Sequence, residues 1–130
     1  MNEPTWLERV DVDTMHHAQI AEHGGSHGVR DEGMLESALA RPRNRFAYEG
    51  DSIDIAALAA SYGFGLAKNH AYIDGNKRIA FIAMFAFLRL NGWRIRAPEP
   101  EVVTLMIAVA DGSVDENALA AWLRSHTEAV

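Results

Sequence analysis

The longest apolar block of the sequence, residues 79–88, constrains the fold more than any other feature. It lies within residues 77–91, a segment that Gly92 brings to an end. A helix that is apolar around its whole circumference must be buried on all sides, and glycine commonly follows a helix C-terminus. The block is about half as long as the ~20 residues that a membrane span requires. We therefore expect residues 77–91 to form the central buried helix, without contact with a membrane.

Helical periodicity extends over most of the remaining chain. Apolar residues recur at helical spacing behind polar caps, and glycine or proline follows them. The expected helices cover residues 14–23, residues 31–41, residues 54–69, residues 100–110 and residues 113–124. In the first, Met15, Ala18 and Ile20 should face inward. Asp31 should cap the second, which Pro42 should end.

The other parts of the chain show little regular pattern. Residues 93–96 alternate weakly, and residues 43–52 have no clear period, which predicts a loop or a small flap. Ser113 and Glu116 form a capping-box pattern for the last helix, and we expect the tail after Arg124 to fray. The fold class is therefore all-α. At 130 residues the chain has the length of a single domain, residues 1–130.

Charge and cysteine content exclude several classes of protein. Lys and Arg number 12 against 18 Asp and Glu, so the formal net charge of −6 disfavours direct binding of nucleic acid. The sequence has no cysteine, which excludes disulfides, thiolate metal sites and cysteine nucleophiles. Its N-terminal residues are acidic and lack the apolar stretch of a secretory signal, so we expect no secretion. We expect a cytoplasmic protein.

Residues 70–78, His-Ala-Tyr-Ile-Asp-Gly-Asn-Lys-Arg, precede and open the central helix. The first turn of a helix has about four N–H groups without intrahelical partners and carries partial positive charge. Gly75 would let an anion approach the backbone, and Asn76 could cap the helix. Lys77 and Arg78 add cationic donors. Cations oppose the macrodipole at this end, so their presence here favours a bound phosphate group.

Two further residues of this segment are candidates for a metal ligand and a general base. Asp74 is its only carboxylate, and one carboxylate together with phosphate oxygens is a usual Mg²⁺ site. His70 can accept a proton from a hydroxyl near neutral pH, which makes it the candidate general base. An ordinary helix–helix turn with a solvated first turn would also explain Asp-Gly-Asn-Lys-Arg. The close grouping of these residue types favours the Mg-nucleotide site.

The string at residues 70–78 resembles the signature of the Fic/Doc family. The Fic branch has His-Pro-Phe, two variable residues and Gly-Asn-Gly-Arg, whereas the death-on-curing (Doc) branch ends in Asp-Ala/Gly-Asn-Lys-Arg and is closer. Residues 24–48 resemble the segment before the Doc motif and residues 87–92 the segment after it, so nearly the whole chain is covered. The resemblance implies a compact helical bundle with its active-site loop at the N-terminus of the central helix.

The resemblance also implies a function. His70 would be the catalytic histidine, Asp74 the Mg²⁺ residue and residues 75–78 the phosphate loop, with ATP and Mg²⁺ as cofactors. Doc-like toxins pass the terminal phosphate of ATP to a hydroxyl of elongation factor Tu and stop translation until an antitoxin binds. Two alternatives stay open: a Fic-type protein AMP transferase that uses the same residues, and a non-catalytic protein-binding module on the same fold.

Departures from the Fic pattern favour the Doc branch. Ala71 replaces the Fic proline, Lys77 the Fic glycine and Phe81 the second Fic arginine, and Tyr72 replaces the usual Phe with a residue whose hydroxyl needs a partner. The sequence lacks the string with which many Fic proteins inhibit themselves, so inhibition should come from another chain, the antitoxin.

Two clusters outside the motif have weaker interpretations. Arg43, Arg45 and Tyr48 lie in the unpatterned stretch and, by resemblance, are candidates for docking the target protein. A run of arginines is otherwise a solvated surface. Histidines 16, 17, 23 and 27 lack the further ligands of a metal site, and the resemblance suggests a structural role for His16.

Overall fold

The computed structural model describes residues 2–130, which form six helices and one small sheet. The elements, in chain order, are α1 Arg9–His23, α2 Glu32–Glu49, a 3₁₀ turn Gly50–Ser52, α3 Ile55–Asn69, α4 Asn76–Leu90, β1 Trp93–Ile95, α5 Glu99–Asp111, α6 Glu116–His126 and β2 Thr127–Ala129. The predicted all-α class is confirmed, and the only strands of the described residues are the short pair β1 and β2.

Helices α3 and α4 form the centre of the bundle. Helix α3 is buried over most of its length, with α2, α4, α5 and α6 packed around it, while α1 lies against α4. The buried side chains Tyr62 and Leu66 of α3 and Met84 and Phe87 of α4 belong to one core cluster, in which the ring centroids of Tyr62 and Phe87 lie 4.9 Å apart. A side chain on Gly63 would meet Met84 at 2.2 Å, so glycine permits the close approach of α3 and α4. The predicted central helix is confirmed to within one residue at each end.

Helix α1 begins five residues before the predicted start at Thr14, at Arg9. Glu8 and Asp11 form a capping box there. The predicted start was too late because residues 9–13 contain few apolar residues. The buried residues of α1 are Val12, His16, Gln19 and Ile20. Ala18, predicted to face inward, is exposed. The helix thus turns polar side chains toward the interior at positions 16 and 19.

Helix α2 continues through Pro42 to Glu49, so the predicted stop at Pro42 and the predicted loop or flap over residues 43–52 are both wrong. Proline in a helix interior removes a backbone hydrogen bond at a cost of about 3 kcal/mol or more. Here Leu35, Ala38, Leu39 and Pro42 are all buried, at helical spacing along one face. Packing of this stripe against the core outweighs the local propensity of proline.

The C-terminal part of the chain is more ordered than its sequence indicates. The cap of α6 is Asp115, which accepts a hydrogen bond from the Ala118 N–H at 2.8 Å, and not the predicted Ser113. The tail does not fray: strand β2 pairs antiparallel with β1 in residues 93–95. Glu128 forms ion pairs across the sheet with Arg94 and Arg96. Backbone pairing with β1, together with charge pairing across the strands, accompanies the order that sequence periodicity did not reveal. None of the helices in residues 2–130 has the length and apolarity to cross a membrane.

Asp54 joins the start of α3 to α6, and its charge should matter for stability. Its Oδ1 accepts from the Ala57 N–H at 2.9 Å, and Arg124 donates to Oδ2 at 2.6 Å. The Arg124 guanidinium lowers the pKa of this carboxyl. The resulting stabilisation is therefore present above the unfolded-state pKa of about 3.9 and is lost as the pH falls through the lower folded-state pKa.

Asp54→Ala should lower the free energy of unfolding by about 0.5–2 kcal/mol at pH 7, because the helix cap is lost. Asp54→Asn keeps a capping oxygen without the charge, so its deficit relative to wild type should shrink when the pH falls below about 4. Urea unfolding at both pH values measures this. A pH-independent difference between wild type and Asp54→Asn would contradict the role of the ion pair.

Candidate active site

The loop between α3 and α4, residues 70–75, is held against the connection between α1 and α2. The backbones of Val29 and Tyr72 form an antiparallel bridge, and Ile73 N–H donates to the Gly28 carbonyl at 3.0 Å. The buried Ala71 carbonyl accepts from the N–H groups of Arg30 and Asp31 at 2.8 and 3.0 Å. The backbone of the loop is therefore fixed from outside by residues that precede it by about forty positions in sequence.

His70 occupies the left-handed position at the end of α3. Its φ of 49° is the only positive φ of a non-glycine residue among residues 2–130. Arg30 Nε donates to the His70 carbonyl at 2.7 Å, which satisfies one of the terminal carbonyls of α3. The imidazole is exposed and makes no hydrogen bond within the described chain. The backbone of His70 is thus restrained while both ring nitrogens stay available to a substrate.

Asn76 closes the loop and does not cap α4, in contrast to the prediction. Its Oδ1 accepts from the Tyr72 N–H and its Nδ2 donates to the Tyr72 carbonyl, each at 3.0 Å. Asn76 is the first residue of α4 and is buried, so its carboxamide satisfies two backbone groups that water cannot reach. Because the Asn76 side chain pairs with Tyr72, four residues earlier, it does not cap the N-terminus of α4.

The N-terminus of α4 is open and positively charged. Gly75, the N-cap, has a φ of 72°, and no side chain of residues 2–130 caps this end. Lys77 is exposed, and its ammonium has no partner in the described chain. Arg78 is exposed and donates through Nη1 to Gln19 Oε1 at 3.2 Å. Open backbone N–H groups, an unpaired ammonium and a guanidinium together form an arrangement suited to an anion.

Asp74 points toward the end of α1. Its Oδ1 accepts from the Gly75 N–H at 2.9 Å and its Oδ2 from the Ser26 N–H at 3.3 Å, and the carboxylate is exposed. A Cβ on Gly25 would lie 2.7 Å from Oδ2, so this close approach requires glycine. Each carboxylate oxygen has lone pairs left over after these bonds. The orientation of Asp74 is therefore fixed while it can still bind a cation.

His16 of α1 and the side chain of Tyr72, a loop residue, pack together and fix the loop against α1. His16 Nε2 donates to the Asp74 carbonyl at 2.8 Å, and its ring stacks on that of Tyr72 with centroids 3.8 Å apart. The Tyr72 hydroxyl finds the partner it needs in Asp13, at 2.6 Å. Burial, together with the hydrogen bond to Asp13, raises the pKa of Tyr72, so the hydroxyl remains a donor at physiological pH. The structural role suggested for His16 corresponds to this contact.

Comparisons with known proteins agree with this geometry. The model of the Fic/DOC family matches residues 6–88. The chain belongs to the Fic/Doc family. "Protein kinase doc" of Escherichia phage P1 is 34% identical over 110 residues, which is 85% of this chain and 86% of that protein. "Toxin Doc" of Mycolicibacterium smegmatis is 39% identical over 124 residues, or 91% and 90% of the two chains. This member of the family is thus a homologue of Doc toxins along most of its length.

The Fic/Doc loop of this chain has donors that fit a nucleotide phosphate and one carboxylate that fits Mg²⁺. Within residues 2–130, no group of three or more His, Asp or Glu residues could hold a metal by itself. A magnesium ion at Asp74 would need further oxygens from phosphate and water, which is the usual arrangement in nucleotide enzymes. The residues present therefore fit a Mg-nucleotide better than a metal bound by protein alone.

The residues predicted to dock the target lie away from the loop. Arg43 donates to Glu8 at 2.6 Å, and Arg45 forms ion pairs with Glu49 and Glu116, whereas Tyr48 is 93% exposed. Arg45 and Tyr48 line an open groove of about 360 Å³ on α2. With a rise of about 1.5 Å per residue, Arg45 lies some 20 Å further along α2 than its N-terminal cap, which adjoins the loop. The docking role of these residues stays a prediction.

Several residues that build the site escaped prediction from sequence. These are Gln19, Ser26 and Arg30, which contact Arg78, Asp74 and His70 respectively. The helical spacing of Val12, His16 and Gln19 does place the two polar residues on a core-facing stripe of α1. Arg30 and Ser26 act on loop partners distant in sequence, so no local pattern identifies them.

Asn76→Ala should destabilise the protein because it leaves both backbone groups of Tyr72 buried and unpaired. Each such group costs about 1–3 kcal/mol, and urea unfolding measures the loss. The matched control is Asn91→Ala, which removes a half-buried amide that pairs with both backbone groups of the exposed Thr5 and also donates to the Phe87 carbonyl. A loss at Asn76 no larger than that at Asn91 would show that the buried amide does not fix the loop.

Proposed function

We propose that this chain is a Doc-like toxin that transfers the terminal phosphate of ATP to a hydroxyl of a target protein. One observation carries the proposal: an uncapped helix N-terminus with the unpaired Lys77 stands at the end of a loop whose first residue is the unpaired His70. Helix ends of this kind bind phosphate. A nearby imidazole with free nitrogens supplies a proton acceptor. By resemblance, the target is elongation factor Tu and the outcome is inhibition of translation.

The proposed reaction is one phosphoryl transfer, in which the chain itself forms no covalent bond to the phosphate. A target hydroxyl oxygen forms a bond to the γ-phosphorus as the bond from γ-phosphorus to the β–γ bridging oxygen breaks, so that ADP leaves. The hydroxyl proton passes to an imidazole nitrogen of His70. The transition state of phosphoryl transfer is loose, so catalysis depends mainly on positioning and on neutralising charge. His70 therefore acts both by orienting the hydroxyl and by accepting its proton.

The first turn of α4 would bind the phosphate groups. The N–H groups of residues 76–78 are hydrogen-bond donors of fixed direction, and the Lys77 ammonium and Arg78 guanidinium balance negative charge. Asp74 would hold Mg²⁺, which neutralises charge on the phosphate oxygens when bound. The contacts of Asp74 with Gly75 and Ser26 keep its carboxylate oriented for this task.

The second candidate activity is AMP transfer by the same residues. Lys77 and Phe81 favour phosphate transfer over this alternative: Lys77 adds bulk and charge where AMP-transferring relatives have glycine, and Phe81 is a half-buried core residue where they have an arginine. A protein-binding module without activity would not need a free imidazole beside an uncapped helix end. The name "Toxin Doc" of one relative supports a toxin whose partner is a cognate antitoxin protein.

The position of the label separates the two activities. Incubation with elongation factor Tu and ATP labelled at the γ-phosphate should transfer the label, whereas ATP labelled at the α-phosphate should leave the target unlabelled. The reason for this expectation is the bulk and charge of Lys77 and the lack of a second arginine at position 81. Transfer of the α-label with release of pyrophosphate would establish AMP transfer, and absence of any transfer to this target would remove elongation factor Tu as the substrate.

His70→Ala should lower the rate of transfer at least about 100-fold, the lower end of general-base effects. Its melting temperature should change little because the imidazole is exposed and has no partner. His23→Ala, at an exposed histidine that ends α1, is the matched control and should retain the wild-type rate. A rate for His70→Ala within a few-fold of the control would refute the role of His70 as base.

A further inference from the structure

Gln19 is a buried polar side chain whose placement the fold alone does not explain. It is 4% exposed, on the core-facing stripe of α1. Its Oε1 accepts from Arg78 Nη1 at 3.2 Å, while its Nε2 is buried without a hydrogen-bond partner. Ser61 Oγ is the only other buried, unpartnered side-chain atom among residues 2–130. A buried N–H that lacks an acceptor destabilises a protein, so an apolar side chain of the same size would suit this position better for folding.

The neighbours of Gln19 lie in the phosphate loop. A Cβ on Gly75 would approach Gln19 Nε2 to 2.4 Å, so the carboxamide lies directly against the glycine that begins α4. Arg78 occupies the first turn of the same helix. The carboxamide thus touches the loop on one side and the guanidinium on the other. Its orientation follows from Arg78, because a guanidinium can only donate and therefore requires the oxygen of the amide.

We propose that Gln19 is a positioning residue that holds the Arg78 guanidinium at the N-terminus of α4, directed toward the phosphate groups of the bound nucleotide. This inference rests on the proposed function. An exposed arginine has many rotamers, and fixing one of them lowers the entropy lost on binding. Gln19 uses one of the five N–H donors and leaves the others to the ligand.

The chemistry of the amide explains why neither an acid nor an apolar residue would serve. A carboxylate at position 19 would orient Arg78 equally well, but it would neutralise the charge that a phosphate must meet. An apolar side chain would leave Arg78 free to move. A neutral acceptor alone orients the guanidinium and preserves its full charge, at the cost of one unpaired N–H.

Two substitutions separate orientation from charge. Gln19→Met, which removes the acceptor, should lower the affinity for ATP·Mg²⁺ about 5-fold to 10-fold in calorimetric titration. It should also abolish the ordered ¹H–¹⁵N signal of the Arg78 guanidinium in the nucleotide-free protein. Gln19→Glu should keep that signal and still weaken affinity. Ser61→Ala, which removes the other unpartnered buried group, is the control and should leave affinity unchanged.

The decisive comparison is a double-mutant cycle with Arg78→Ala. In that background Gln19→Met should have no further effect on affinity, because its action passes through Arg78; a merely structural role would persist. Equal affinity of Gln19→Met and wild type, or an unchanged Arg78 signal in Gln19→Met, would overturn the inference. If Gln19→Met fails to fold, wild-type affinity in Gln19→Glu would overturn it. Wild-type protein that does not bind ATP·Mg²⁺ would refute the proposed function, and the Arg78 signal would still report whether Gln19 orders the guanidinium.

Discussion

The paired hydrogen bonds between the Asn76 carboxamide and the Tyr72 backbone are the contact on which the site depends. The loop crosses from α3 to α4 beside the apolar core, where an unpaired backbone group is costly. Asn76 satisfies both groups of Tyr72, and Arg30 and Asp31 satisfy the Ala71 carbonyl. With these three buried backbone groups paired, the loop can hold the two central helices at one fixed separation and still present His70 to solvent.

The same pairing leaves the start of α4 open. Asn76 is committed to Tyr72 and Gly75 has no side chain, so neither caps the helix. Lys77 and Arg78 then place positive charge at the positive end of the macrodipole, which disfavours the helix when nothing is bound. A local conflict of this kind inside a consistent fold is typical of a functional site, and a bound phosphate would remove it. The buried Gln19 amide, which contacts Arg78, is also unfavourable for folding because its N–H has no partner.

Sequence periodicity predicts the parts of the fold that depend on local signals. Helix α3 follows from its apolar spacing and its Asp54 cap, and α4 from its apolar spacing and the Gly92 that ends it. The types of residue between the two helices predict the loop that carries His70 and Asp74. Features that depend on distant partners were missed. The helix continues through Pro42 because its face is buried against the core, and β2 pairs with β1 more than thirty residues earlier, where Glu128 also meets Arg94 and Arg96. The predicted cap at Asn76 was wrong for a different reason: its carboxamide pairs with the Tyr72 backbone four residues earlier, a local alternative to capping the helix.

We propose that the N-terminus of α4 binds the phosphate groups of ATP and that Asp74 holds Mg²⁺. A crystal structure of the protein with Mg²⁺ and a non-hydrolysable ATP analogue tests it most directly. We expect phosphate oxygens within hydrogen-bond distance of the N–H groups of residues 76–78 and a cation on the Asp74 carboxylate. Phosphate groups bound elsewhere on the protein, with this helix end in contact with water alone, would contradict it.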